Sequence, residues 1–88
     1  MTRRGWVSSP IYRTMIEFIA SAREESGISQ RELARRVGKP PSFINKIELL
    51  ERRIDLLEFI AIAEALGRKP DELVQGLREA LPPTLSLY

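Results

Sequence analysis

The stretch from Ser29 to Glu48, S-Q-R-E-L-A-R-R-V-G-K-P-P-S-F-I-N-K-I-E, leaves little choice of local fold. Ser29 and Glu32 stand at capping-box spacing: the hydroxyl can accept from the amide three residues on, and the carboxylate can reach back to the Ser29 amide. Ile28 and Leu33 flank this cap as a hydrophobic staple. Leu33, Ala34 and Val37 then share one helical face, and Gly38 supplies the positive-φ residue that ends the helix after about two turns. A second helix is predicted to open at Pro41, because proline suits the first helical position and Pro40 drives the residue before it out of the α region. Ile44 and Ile47 face inward in that helix. Ser42, Asn45 and Lys46 point mostly outward near its start, and such short polar side chains with one cation suit the reading of base edges.

The rest of the chain repeats the helical signals. Ser9-Pro10 is a cap with a first-turn proline, and Ile11, Met15, Phe18, Ile19 and Ala22 follow on one stripe that ends near Ser26-Gly27, with Tyr12 on its flank. Asp55 and Glu58 form a second capping box, stapled by Ile54 and Phe59. The helix they open carries Leu56 or Leu57, Ile60, Ala63 and Leu66 with Phe59 and Ile62 beside them, more apolar surface than one face needs, so it is predicted to be the central helix of the core. Pro70, Asp71 and Glu72 start a last helix bearing Leu73, Val74, Leu77, Ala80 and Leu81, which Pro82-Pro83 ends.

The expectation is an all-α, five-helix compact bundle. An N-terminal arm spans 1–8, a helical domain spans 9–81 with helices over about 10–26, 30–37, 41–51, 56–66 and 70–81, and a tail spans 82–88. Trp6 is expected to fold back over apolar surface. The alternating tail fits either a loose end or a strand pairing with a second copy, and loose packing is the expectation.

Composition narrows the function. The 88 residues contain no cysteine and no histidine, which removes disulfides, thiolate chemistry, the usual zinc ligands and the commonest general base. No nucleophile-base pair or phosphate-cradling glycine loop is present either, so an enzyme is not expected, nor a metal or cofactor. No apolar run spans a bilayer and no apolar segment follows Arg3 and Arg4, so an unexported, cytoplasmic protein with no membrane partner is expected. The formal charge of +2 hides a split: residues 1–53 hold eleven cations against six carboxylates, and residues 54–88 hold three against six. The basic half carries the two short helices, as a polyanion-binding surface requires.

Taken together, Ile16-Glu17, Ala22-Arg23, Gly27 to Ala34, Val37-Gly38, Pro41 to Ile44, Lys46-Ile47-Glu48 and Leu66-Gly67 resemble the Cro and phage-repressor-like (XRE-type) helix-turn-helix domains over about residues 11–81. The resemblance implies a lambda-repressor-like DNA-binding domain, bacterial or phage-encoded, whose third helix lies in the major groove. It implies that Gln30 touches phosphate, that Pro41, Ser42, Asn45 and Lys46 read bases, and that Arg23 and Glu48 form an ion pair able to aim the guanidinium at a phosphate. Phe43 approaches a thymine methyl or stays against the turn. Arg31, Lys39, Arg52 and Arg53 are candidate backbone contacts, and Arg35 and Arg36 divide evenly between that role and a solvated face.

The sequence departs from the family at Leu49 and Leu50, where members place a polar residue and then glycine. Leucine resists positive φ, so either the third helix continues a further turn, which is the expectation, or the leucines cover the core or a partner; an exposed leucine pair would be an interaction patch. The function expected is a sequence-specific double-stranded DNA-binding regulator, a repressor without a separate sensor domain, acting as a homodimer on a palindromic operator. Because helices 1 to 4 already account for the core, Leu73, Val74, Leu77, Leu81, Leu85, Leu87 and Tyr88 form the expected dimer or partner surface. The alternative is an antitoxin or anti-regulator that seats a protein partner through Leu49 and Leu50.

Overall fold

In the computed structural model, residues 9–86 are described; the arm with Arg3, Arg4 and Trp6, and the terminal Leu87 and Tyr88, lie outside the described residues. Within them the chain folds as α1 (Pro10–Glu25), α2 (Gln30–Arg36), α3 (Phe43–Glu48), α4 (Leu56–Ala65) and α5 (Pro70–Ala80), with no strand among the described residues. Local capping sets most of the starts. Ser9 Oγ accepts from the Tyr12 amide at 3.2 Å, with Pro10 in the first turn. At α4 the box is complete: the Glu58 amide donates to Asp55 Oδ1 at 2.7 Å and the Asp55 amide donates to Glu58 Oε1 at 3.0 Å. At α2 only half of the expected box forms. Ser29 Oγ accepts from the Glu32 amide at 3.0 Å, but the Glu32 carboxylate turns to Arg35 and Arg36, where two guanidinium donors outweigh one amide.

The boundaries of α3 differ from the sequence reading at both ends. The Phe43 amide donates to the Pro40 carbonyl at 3.0 Å, so Pro41 and Ser42 form a lead-in turn and Ser42 is an N-cap without a side-chain bond. At the other end the expected continuation to residue 51 does not occur. The Glu51 amide donates to the Lys46 carbonyl at 2.8 Å and the Leu50 amide to the Ile47 carbonyl at 3.1 Å, with Leu50 at φ 62°. The same pair of bonds ends α2, from Lys39 to Ala34 and from Gly38 to Arg35, around Gly38 at φ 74°. Leu50 thus performs the glycine's task. Two otherwise unpaired carbonyls gain donors, and the half-buried leucine side chain packs on the core, which offsets its backbone strain.

The helices close into a ring in which α1 packs on α3 and α5, α2 on α3 and α4, and α4 on α5. This arrangement corrects three expectations. Tyr12 is buried in the core beside Ile16, and its hydroxyl accepts from the Ile54 amide at 3.3 Å. No helix is central: α4 buries Phe59, Ile62 and Ala63, whereas Leu56 and Leu57 are 71% and 78% exposed. And α5 belongs to the core, because Leu73 is fully buried, which removes it from any dimer surface. Gly76 lets α5 approach α1, since a Cβ there would stand 3.0 Å from Phe18 Cζ.

Candidate nucleic-acid interface

A chain of polar side chains fixes the corner where α1, α2 and α3 meet. Arg23 Nε donates to Glu48 Oε2 at 2.7 Å and Nη2 donates to Oε1 at 3.1 Å, while Nη1 donates to the Ile28 carbonyl at 2.9 Å. Both side chains are nearly buried, at 12% and 14% exposure. The bond to Glu48, ahead of the opposing effect of burial, pushes the Arg23 guanidinium further above its ordinary pKa. Glu48 Oε1 also accepts from Gln30 Nε2 at 2.7 Å, and Gln30 Oε1 accepts from Asn45 Nδ2 at 3.2 Å. The ion pair was expected from the family resemblance. The link through Gln30 to Asn45 was not, because nothing in residues 15 and 18 apart signals a bond.

The remaining sequence-derived candidates separate into exposed groups and groups held inside the fold. Pro41, Ser42, Arg31, Lys39 and Lys46 are exposed. The side chains of Arg31 and Lys46 make no hydrogen bond or ion pair among the described residues, and Arg31 lines an open groove of about 380 Å³ with Ser29, Glu32, Arg35 and Pro41. Phe43 takes the interior of its two expected places; it is buried, with Lys39 Nζ 5.4 Å and the Arg52 guanidinium 4.8 Å from its ring centroid. Arg52 is tied to the start of α4, donating to both oxygens of Glu58 at 2.8 and 2.7 Å and to the Arg53 carbonyl at 2.7 Å. That bond, against the opposing effect of burial, holds the Glu58 carboxyl below its ordinary range. Arg53 is exposed with its guanidinium 4.9 Å from the Tyr12 ring. Arg36 donates to Glu32 and to the Ala65 carbonyl at 3.0 Å, bridging α2 to the end of α4, and Arg35 pairs with the same Glu32, whose carboxyl the two hold at about 2. Of the expected phosphate ligands, Arg23 and Arg52 therefore direct their guanidinium groups at carboxylates and backbone carbonyls of the fold.

A family model described as helix-turn-helix matches residues 19–73, from the middle of α1 to the buried Leu73 of α5. The chain belongs to the XRE-type helix-turn-helix family. Six chains of solved structure match it; one, described as an XRE-family like protein from Pseudomonas syringae pv. tomato str. DC3000, is 38% identical, with a TM-score of 0.74 over 82% of this chain and 88% of that one. No curated protein matches significantly.

In this helix-turn-helix protein, α2 and α3 with the turn between them are the eponymous unit, and the family makes it a DNA-binding regulator. Its exposed α3 start and free cations lie on that unit, while the Arg23–Glu48 pair braces the unit from behind. Among the described residues no helix is long and apolar enough to cross a membrane, and no cluster of acidic side chains could hold a metal ion.

Proposed function

We propose that this helix-turn-helix protein is a sequence-specific repressor that binds a palindromic operator as a homodimer, with α3 in the major groove. The observation that carries the reading is the pairing of the exposed, unpartnered Arg31 and Lys46 side chains with the exposed Pro41-Ser42 lead-in of α3, on a corner tied together by partly buried polar bonds. Ser42 makes no cap bond, so its hydroxyl is available to a base or phosphate. Pro41, Ser42, Asn45 and Lys46 face the bases. Arg31, Lys39, Arg53 and the remaining amide N–H of Gln30 serve the phosphates. Repression follows from occupying the operator, and the protein acts in the cytoplasm at the nucleoid.

The homodimer is supported by an apolar groove of about 280 Å³ between α1, α4 and α5, lined by Met15, Ile54, Leu56, Phe59, Val74 and Leu77. Val74 and Leu85 are exposed and Leu77 and Leu81 partly so, which leaves them, without Leu73, as the candidate contact surface. A footprint on genomic DNA tests the proposal. The expected result is two related half-sites about one helical turn apart; protection of a single asymmetric site would remove the homodimer, and no protection would remove the DNA reading. A second reading, an antitoxin or anti-regulator, draws on Leu49, which is 57% exposed at the end of α3.

A further inference from the structure

The bonds between Glu48, Gln30 and Asn45 fix which way two amides face. A carboxylate only accepts, so the Gln30 group 2.7 Å from Glu48 Oε1 is its NH2, and Glu48 is itself held by Arg23. Gln30 Oε1 is then forced to the other side, where it accepts from Asn45 Nδ2 at 3.2 Å. Asn45 in turn must point its NH2 at Gln30, which leaves its Oδ1 and one N–H unused. An amide that presents one acceptor and one donor suits adenine N6–H and N7; guanine offers two acceptors, O6 and N7, and accepts only from an amide free to turn its oxygen away and donate through its NH2.

We propose that Gln30 is a positioning residue that acts through Asn45 to set a preference for adenine over guanine at one base pair of each half-site. The inference rests on the DNA-reading role proposed above for α3. Its basis is the direction imposed by Glu48: an Asn45 amide without Gln30 can turn about its terminal bond to donate to guanine as well, which narrows the distinction between the two purines. This assigns Gln30 a role in specificity in addition to any contact its second N–H makes with phosphate.

The experiment is selection of duplexes from a randomised pool by the full chain, followed by affinity measurements on the recovered duplex with each purine at each position. Asn45→Ala identifies the base pair, as the position where the adenine preference disappears. The wild type is expected to prefer adenine there by about tenfold, within the roughly 5- to 150-fold range of one good base contact. Gln30→Ala is expected to bring that ratio towards one while other positions keep their preferences, and to change nothing further at that position in an Asn45→Ala background. Gln30→Met, which keeps the side chain's length, is expected to do the same if the alanine variant folds poorly. A Gln30 variant that weakens binding to all bases equally and lowers the salt dependence would overturn the proposal in favour of a phosphate contact alone. A position-specific effect of Gln30 that adds to that of Asn45 would overturn it too. Recovery of no duplex by the wild type would instead remove the DNA-reading role itself, and the inference with it.

Discussion

At Leu50 backbone strain and side-chain packing oppose each other. A leucine at φ 62° carries about 1 kcal/mol of strain, and its half-buried side chain returns a similar amount through packing. Glycine relieves the strain and loses the packing, whereas alanine loses the packing and keeps most of the strain. Leu50→Ala is therefore expected to be less stable than Leu50→Gly by about 1 kcal/mol, a Tm lower by about 4–8 °C. An alanine variant as stable as the glycine variant would show that the exit from α3 does not hold position 50 in the left-handed region. Leucine's resistance to positive φ favours a longer helix in the sequence, and covering the core, the alternative to extension, is what Leu50 does. What decides the exit is the pairing of the Lys46 and Ile47 carbonyls together with burial against other helices, neither of which is visible in the residues 48 to 51. Asn45 and Lys46 were legible as outward-facing from helical spacing, but the bond from Asn45 to Gln30 depends on how α2 crosses α3.

The starts of α1, α2 and α4 were readable because caps act within three residues, and α3 was misjudged because its start is a turn with no side-chain cap. The cap of α4 also has a long-range part, since Glu58 serves both the Asp55 amide and Arg52. Its carboxyl is held below the ordinary 4.5, with the Arg52 bond the largest cause. A depressed folded-state pKa contributes stability that is complete above the unfolded value and lost as pH falls through the folded one. Glu58→Gln keeps a capping side chain and removes the charge, so it is expected to cost about 1 kcal/mol at pH 7, discounted because Arg52 is partly solvated. The melting temperatures of the two proteins are expected to converge as the pH falls from the ordinary 4.5 of a glutamate through the lower folded-state value. A gap of the same size at pH 3 would mean that the Arg52–Glu58 charge pair contributes nothing.

Across the whole molecule, the ring of five helices places the basic half of the sequence at the α2–α3 corner and leaves the apolar groove between α1, α4 and α5. The five-helix, all-α composition was legible from periodicity and turn residues. Membership of α5 in the core was not, because Leu73 and Val74 are equally apolar in sequence and only packing buries the first and exposes the second. For the same reason the charge split overstates the interface: Arg23 and Arg52 pair with Glu48 and Glu58, Arg35 and Arg36 share Glu32, and the free cations are fewer than the sequence count suggests. The central claim is that the α2–α3 corner binds the DNA backbone and reads bases. It is tested most directly by the slope of log Kd against log salt concentration on the selected duplex, for the wild type and for Arg31→Ala. With about six phosphate contacts the wild-type slope in affinity is expected near −5, and Arg31→Ala is expected to reduce its magnitude by about one per half-site. An affinity insensitive to salt, or a slope that Arg31→Ala leaves unchanged, would contradict the account.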